Sequence, residues 1–165
     1  TSNHDENSWN GSDEDMYGAN FENFAVLSAT ISGMPLIYNG QETGLNEQLE
    51  FFEKDPINWD GYEYQEFYTT LLRIKRDEEA LWNGSYGAEP VFIEMPEGMY
   101  AYKRAKGESE VVVALNFNSE TTFDPFPLED LGVDENWSVY NSRNMMITDE
   151  SVSFSPNEWV IFVKN

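Results

Sequence analysis

The spacing of apolar residues changes at about residue 84, and this change limits the possible folds of the chain more than any other feature. Before that point, apolar residues recur every three to four positions, which is the period of an α-helix. After it, they recur at every second position in short segments separated by turn residues, which is the period of β-strands. The sequence therefore predicts a helical part followed by an all-β part, with a boundary near residue 83.

The first part predicts two helices with a strand between them. Apolar residues have helical spacing from Asn20 to Ser32, with Asn20 as the N-cap and Gly33 as the stop. A second apolar stripe predicts a helix over about Glu63–Glu79. The run Met34–Tyr38 is short and apolar, which is typical of a buried strand in a parallel sheet. Helix and strand together make one unit of an α/β arrangement.

The second part predicts an antiparallel β-sandwich. Turn residues at Pro96–Gly98 and Lys106–Glu108 predict hairpin loops. About seven short strands in a segment of this size are typical of a sandwich. The predicted strands are Val91–Met95, Met99–Ala105, Glu110–Asn116, Thr121–Phe126, Trp137–Tyr140, Val152–Phe154 and Trp159–Val163.

Composition excludes several functions. The chain has 31 acidic and 9 basic residues, a formal charge of −22, which disfavours nucleic acids and anionic membrane surfaces as partners. Its apolar runs are far shorter than the roughly 20 residues of a membrane helix, so no membrane insertion is expected. With no cysteine and one histidine, the sequence predicts no metal site and no cofactor. The sequence does not indicate the cellular compartment of the protein.

Two segments carry residues suited to chemistry. His4 and Asp5 combine an imidazole with a carboxylate, which suits a sugar ring passing through an oxocarbenium-like state. The alternative is a polar segment with a solvated histidine. Gly33–Glu42 puts polar residues at the end of the predicted strand, where parallel α/β proteins build their sites. The alternative there is an ordinary turn.

Taken in order, these segments resemble the alpha-amylase family of glycoside hydrolases. Asn3–Asp5 resembles the family's Asn-His-Asp motif at the end of the seventh barrel strand, and Gly33–Glu42 resembles its G-x-P-x-x-Y-x-G-x-E motif on the eighth. Leu49–Trp59 is similar to the eighth loop of bacterial amylases, and Glu110–Phe117 is similar to an apolar strand of the C-terminal domain. The resemblance extends over essentially all 165 residues.

The resemblance implies a C-terminal fragment of a bacterial enzyme. Its fold class would be an α+β fragment, with two βα units from the end of a TIM-type (β/α)8 barrel in residues 1–83 and an antiparallel β-sandwich in residues 84–165. A complete barrel needs about 200 residues or more, so 165 residues cannot contain one. The rest of the barrel in a parent chain is therefore an expected partner.

The resemblance also implies a retaining enzyme acting on alpha-glucans such as starch and maltooligosaccharides. Asp5 would stabilise the transition state, and His4 and Asn3 would bind the substrate. Glu42 and Trp59 are supporting candidates near the cleft. The family's nucleophile and general acid lie on the fourth and fifth barrel strands, outside these residues, so this chain alone is expected to be inactive.

A non-catalytic carbohydrate-binding or structural module is the alternative. Trp137 and Trp159 fall in strand patterns and are expected in the sandwich core rather than on a starch-binding surface. Asp13–Asp15 are expected in a solvated loop rather than at calcium. Two βα units without neighbours expose apolar faces, so either the helices repack on the sandwich or chains pair as a homo-oligomer.

Overall fold

Four helices precede seven strands along the chain in the computed structural model, which describes residues 1–165. The helices are α1 (His4–Asn10), α2 (Asp13–Tyr17), α3 (Phe21–Thr30) and α4 (Gln65–Asp77). The strands are β1 (Val91–Ile93), β2 (Met99–Lys106), β3 (Ser109–Asn116), β4 (Phe123–Pro127), β5 (Ser138–Asn141), β6 (Ser151–Phe154) and β7 (Trp159–Val163). No helix combines the length and the apolar character that crossing a membrane requires.

All strand pairs are antiparallel, and they form two sheets. Five strands pair in the order β1-β2-β3-β7-β5, and β4 pairs with β6. In the longest pairing, Met99 lies opposite Asn116 and Lys106 opposite Ser109, so the β2–β3 hairpin closes over Gly107 and Glu108. Each of the seven predicted strands forms within two residues of its predicted bounds. The predicted antiparallel β-structure is confirmed.

The five-stranded sheet is the middle layer and is covered on both faces. In β3, Val111 and Val113 face a cluster that includes α3 and α4, whereas Val112 and Ala114 face a second cluster that includes β6. For this reason β3 and β7 are apolar along most of their length instead of alternating with polar residues. Helices α3 and α4 therefore pack on one face of the sheet, and the small sheet packs on the other.

Both predicted long helices form. They are α3 and α4, whose ends lie within about two residues of the predicted ones. Asn20 occupies the N-cap position of α3, but its side chain makes no capping hydrogen bond; its Nδ2 donates to the backbone oxygen of Phe117 at 3.1 Å. Ala25 and Ala29 are buried, and their small size allows α3 to lie close to the sheet. The apolar stripe predicted these helices correctly.

Met34–Tyr38 does not form the predicted parallel strand. Met34 is 85% exposed and Leu36 is 55% exposed, whereas a strand inside a parallel sheet is covered on both faces. A strand needs hydrogen bonds to a neighbouring strand, and all seven strands of this chain pair with one another in the two antiparallel sheets. The predicted strand is therefore absent, and the strand prediction was wrong for this segment.

The helical part and the sheet share one apolar core. Tyr68, Leu71 and Ile74 of α4 lie in the same cluster as Tyr102 of β2 and Ile161 of β7. Boundary residue 83 thus marks a change of secondary structure within a continuous interior. Whether residues 1–83 are one end of a larger barrel stays a prediction.

Few acidic side chains have a basic neighbour. Of the 31 acidic residues, only Asp5, Asp77 and Glu110 have a basic nitrogen within ion-pair distance. The folded chain therefore holds many like charges close together, and their repulsion destabilises the compact state.

Added salt is expected to stabilise the chain. Raising NaCl from 10 mM to 1 M shortens the Debye length from about 30 Å to about 3 Å, so the thermal midpoint should rise by several degrees. Exchanging the exposed Glu120, Asp124 and Glu129 for lysine should raise the midpoint at 10 mM NaCl and flatten the salt response. Calorimetry at both salt concentrations checks this. A midpoint that falls with salt would contradict it.

Candidate functional site

Asn3, His4 and Asp5 stand at the start of α1. The Asn3 side-chain oxygen accepts hydrogen bonds from the backbone nitrogens of Asp5 and Glu6 at 2.8 and 3.0 Å, which caps the helix. The Nε2 atom of His4 lies 3.6 Å from Oδ1 of Asp5. Both of these side chains are about two-thirds exposed. The pair is therefore accessible to a ligand, while the oxygen of Asn3 is occupied by the helix.

A polar network joins the N-terminal segment to the second motif. The Nε2 atom of Gln41 donates to the hydroxyl of Thr1 at 2.8 Å and to the carboxylate of Asp13. The Oε1 atom of Gln41 accepts from the backbone nitrogen of Tyr38 at 2.5 Å. The Tyr68 hydroxyl on α4 lies 3.4 Å from the same amide nitrogen, and its burial, together with the Asp13 charge, raises the pKa of Tyr68. The second motif is thus hydrogen-bonded to Thr1, two residues before the first motif.

Glu42 and Trp59, the supporting candidates, both lie in the segment between α3 and α4. Glu42 is half-buried in a 3₁₀ turn, and its carboxylate accepts from the backbone nitrogen of Gly40 at 3.2 Å. Trp59 is 42% exposed in the loop before α4. Neither residue hydrogen-bonds to His4 or Asp5, nor does Trp59 stack on His4. Their supporting roles therefore stay predictions.

Asp13–Asp15 form the first turn of α2. The Ser12 hydroxyl and the Asp15 carboxylate cap this helix reciprocally, and the hydrogen bonds from Ser12 lower the pKa of Asp15. No group of three or more acidic or histidine side chains is arranged to hold a metal ion. The acidic run thus has a local structural explanation, as a helix start rather than the loop expected from the sequence.

Both Trp137 and Trp159 are buried, Trp137 in the predicted sandwich core and Trp159 in the core between the five-stranded sheet and the helices. They are 8% and 5% exposed, on opposite sides of the five-stranded sheet. The indole nitrogen of Trp159 donates to the Glu22 carboxylate on α3 at 2.7 Å, which ties β7 to the helical layer. Neither indole ring therefore presents a flat surface for sugar binding.

Sequence reasoning missed the amide side chains that organise this region. Gln41 is 9% exposed and Asn7 is 3% exposed, and each bridges two segments distant in the chain. No periodic pattern marks a buried amide, because its partners are backbone and side-chain atoms whose positions depend on the path of the whole chain. The nearest available signal was their location within or beside the motif segments.

Comparison with other sequences identifies relatives. No protein-family model matches the chain. Alpha-amylase MalA of Haloarcula japonica is 32% identical over 139 residues, which are 77% of this chain and 20% of that protein. Alpha-amylase 2 of Dictyoglomus thermophilum is 25% identical over 109 residues, which are 58% of this chain and 18% of that protein. The chain spans about a fifth of the length of these curated relatives.

Solved structures share the fold at low sequence identity. A maltogenic amylase from S. marinus matches 94% of this chain and 21% of its own, with a TM-score of 0.64 and 19% identity. AmyP in complex with maltotriose matches 93% of this chain and 38% of its own, with a TM-score of 0.62 and 13% identity. A debranching enzyme from Nostoc punctiforme matches 90% of this chain and 31% of its own, with a TM-score of 0.60 and 19% identity.

These relatives define the class of protein. The chain is related to glycoside hydrolases, and its α+β fold with antiparallel sheets matches part of such enzymes. More narrowly, its sequence relatives are alpha-amylases, and the structural neighbours named above are enzymes of the alpha-amylase family. The resemblance that the motifs indicate is confirmed.

Proposed function

We propose that this chain is the C-terminal part of an alpha-amylase-type glycoside hydrolase that acts on alpha-glucans. Residues 1–83 would complete the end of its catalytic barrel, and residues 84–165 would be its C-terminal sandwich. The observation that carries the proposal is the hydrogen bond between Gln41, within the second amylase-like motif, and Thr1, two residues before the first such motif. The 32% identity to an alpha-amylase over most of the chain supports it.

In this proposal Asp5 stabilises the transition state. A retaining glycosidase uses a nucleophilic carboxylate and a carboxylic acid about 5 to 5.5 Å apart. Both would come from the remainder of a longer polypeptide, since this chain corresponds to about a fifth of its relatives. The exposed carboxylate of Asp5 can accept hydrogen bonds from sugar hydroxyls and oppose the positive charge of the oxocarbenium-like ring. His4, whose Nε2 atom lies 3.6 Å from Oδ1 of Asp5, would donate a hydrogen bond to the same sugar ring.

The charge of the chain is compatible with this substrate. An alpha-glucan is neutral, so the formal charge of −22 does not repel it. Carboxylates also accept hydrogen bonds from hydroxyl groups, which are the only donors that a glucan offers. The same charge disfavours phosphorylated sugars and other anionic substrates.

Replacing Asp5 with asparagine in the longer polypeptide is expected to lower kcat on soluble starch at least about a thousandfold. The amide keeps the shape of the side chain but removes the charge that opposes the oxocarbenium-like ring. Asp60→Asn, at an exposed loop position, is the matched control and should retain activity. Release of reducing sugar measures the effect. An Asp5→Asn enzyme with near-native kcat would contradict the proposed role.

The 165-residue chain by itself is expected not to hydrolyse starch. Asp5 in this proposal is neither the nucleophile nor the general acid, and the chain would supply no pair of carboxylates for both roles. The purified chain should therefore release no reducing sugar above the buffer rate during prolonged incubation with soluble starch. Turnover that disappears in the Asp5→Asn chain would show that the chain holds a complete catalytic site and would overturn this prediction.

A further inference from the structure

The dipeptide Asn-Gly occurs three times in the chain, as Asn10–Gly11, Asn39–Gly40 and Asn83–Gly84. In such a pair the backbone nitrogen of the glycine can attack the side-chain carbonyl carbon of the asparagine. Glycine hinders this attack least, because it has no Cβ atom beside the nitrogen. All three asparagines are exposed. The surroundings of the three glycine nitrogens therefore decide which pair reacts.

In the first two pairs the glycine nitrogen already has an acceptor. The nitrogen of Gly11 donates to the backbone oxygen of Asn7 at 3.1 Å. The nitrogen of Gly40 donates to the carboxylate of Glu42 at 3.2 Å. Both glycines are buried. Attack by either nitrogen requires that its hydrogen bond break and that solvent reach its proton.

The third pair is open. The nitrogen of Gly84 donates to no protein atom, and Gly84 is exposed, so its proton is accessible to solvent. Asn83 has φ −92° and ψ 149°, and ring closure requires a rotation about its Cα–C bond. The backbone oxygen of Asn83 accepts one backbone hydrogen bond, from Tyr86 at 3.3 Å, which is long for such a bond. Little structure thus opposes the rotation.

A lysine polarises the side-chain carbonyl group of Asn83. The Nζ atom of Lys75 on α4 donates to Oδ1 of Asn83 at 3.3 Å, and a hydrogen bond to the backbone oxygen of Leu81 at 2.6 Å holds the amine in place. Burial and the charge of Arg104 lower the pKa of Lys75 to about 8, so at pH 7 the group is still mostly an ammonium. A cation there stabilises the negative charge that develops on Oδ1 during attack. Neither of the other two asparagines accepts a hydrogen bond from a basic side chain.

We propose that Asn83 is a site of selective deamidation, which converts it to aspartate or isoaspartate faster than Asn10 or Asn39 is converted. The nitrogen of Gly84 loses its proton and forms a bond to Cγ of Asn83. The side-chain nitrogen takes up a proton from solvent and leaves as ammonia, so a five-membered succinimide remains. Water then adds to one of the two ring carbonyl carbons and breaks its bond to the ring nitrogen. The net reaction consumes one water, releases one ammonia and adds one negative charge beside Lys75.

Peptide mapping after incubation of the folded chain at pH 7 and about 37 °C tests the proposal. Trypsin cleaves after Arg76 and Lys103 and releases residues 77–103, in which Asn83 is the one asparagine. Asn10 and Asn39 lie together in residues 1–54, where fragmentation of the peptide locates the change. Mass spectrometry follows the conversion of each amide to a carboxyl group. We expect Asn83 to convert about tenfold faster than the other two, as the loss of one hydrogen bond to the attacking nitrogen implies.

Three controls separate the folded geometry from the local sequence. In guanidinium chloride the three rates should become similar, because unfolding frees all three glycine nitrogens. Gly84→Ala should slow the conversion of Asn83 several-fold, since a Cβ atom hinders the attack and the position has space for it. Lys75→Met should also slow it, and unchanged thermal midpoints would show that both variants fold.

The outcomes decide the proposal without reference to starch hydrolysis. Conversion of Asn10 or Asn39 in the folded chain as fast as that of Asn83 would overturn it. A preference for Asn83 that persists in guanidinium chloride would overturn it too, because the cause would then be the local sequence. An unchanged rate in Lys75→Met would overturn the role assigned to the lysine.

Discussion

Replacing Arg104 with methionine is expected to destabilise the chain by about 3 to 5 kcal/mol. Arg104 is 2% exposed in β2, and its guanidinium donates to three backbone carbonyl oxygens. These belong to Thr30 at 2.8 Å, Ala88 at 2.7 Å and Trp82 at 3.0 Å. Methionine fills similar space but leaves one buried acceptor, at Thr30, and two partly buried ones without this donor, and each buried loss costs about 1 to 3 kcal/mol.

Urea unfolding measures this effect. Arg104→Lys keeps the charge but has no planar fork, so it should recover only part of the lost stability. Arg73→Met, at an exposed position on α4, is the control and should change the free energy of unfolding by less than about 0.5 kcal/mol. A loss below about 1 kcal/mol in Arg104→Met would mean that water satisfies the three carbonyls, contrary to the burial of this side chain.

Replacing Gly87 with alanine is expected to prevent folding or to cost more than about 4 kcal/mol. A Cβ atom on Gly87 would lie 1.8 Å from the backbone oxygen of Trp82 and 2.5 Å from its carbonyl carbon. This overlap involves main chain, so no side-chain rotation relieves it. The same Trp82 oxygen accepts from Arg104, so any displacement also breaks that hydrogen bond.

Gly84→Ala is the matched control for Gly87→Ala. Gly84 has φ 56° and no atom within 4 Å of the position that an added methyl group would occupy, so alanine there should cost only about 1 kcal/mol through backbone conformation. Gly87 has φ −107°, which any residue adopts, so its restriction is one of space alone. Soluble yield and urea unfolding compare the two variants. Equal stability of the two variants would contradict the steric explanation.

The regular elements could be predicted because their signals are local. The stripe through Tyr68 and Leu71 predicted α4, and short segments bounded by turns predicted all seven strands. Local signals failed at Met34–Tyr38, where an apolar run of strand length has no strand beside it. A strand is stable only when a neighbouring strand completes its hydrogen bonds, and a run of five residues contains no information about that neighbour.

The geometry of the candidate site, too, could be predicted from the sequence only in part. His4 and Asp5 are adjacent in sequence, so their proximity could be stated in advance. The contact between Thr1 and Gln41, and the hydrogen bonds that join Asn7 to Glu47 and Leu49, link residues about 40 positions apart and could not be stated in advance. Such contacts depend on the fold of all the residues that lie between the two partners in the sequence.

The sequence by itself determined the periodicities, the hairpin turns, the motif pair at His4 and Asp5, and the strongly negative charge. Only the tertiary structure decided that the helices cover one face of the five-stranded sheet, and that Arg104 takes its acceptors from three separate segments. The physical reason is the range of the interactions. Periodicity reflects the geometry of a few consecutive residues, whereas buried hydrogen bonds and shared cores depend on atoms that only folding brings together.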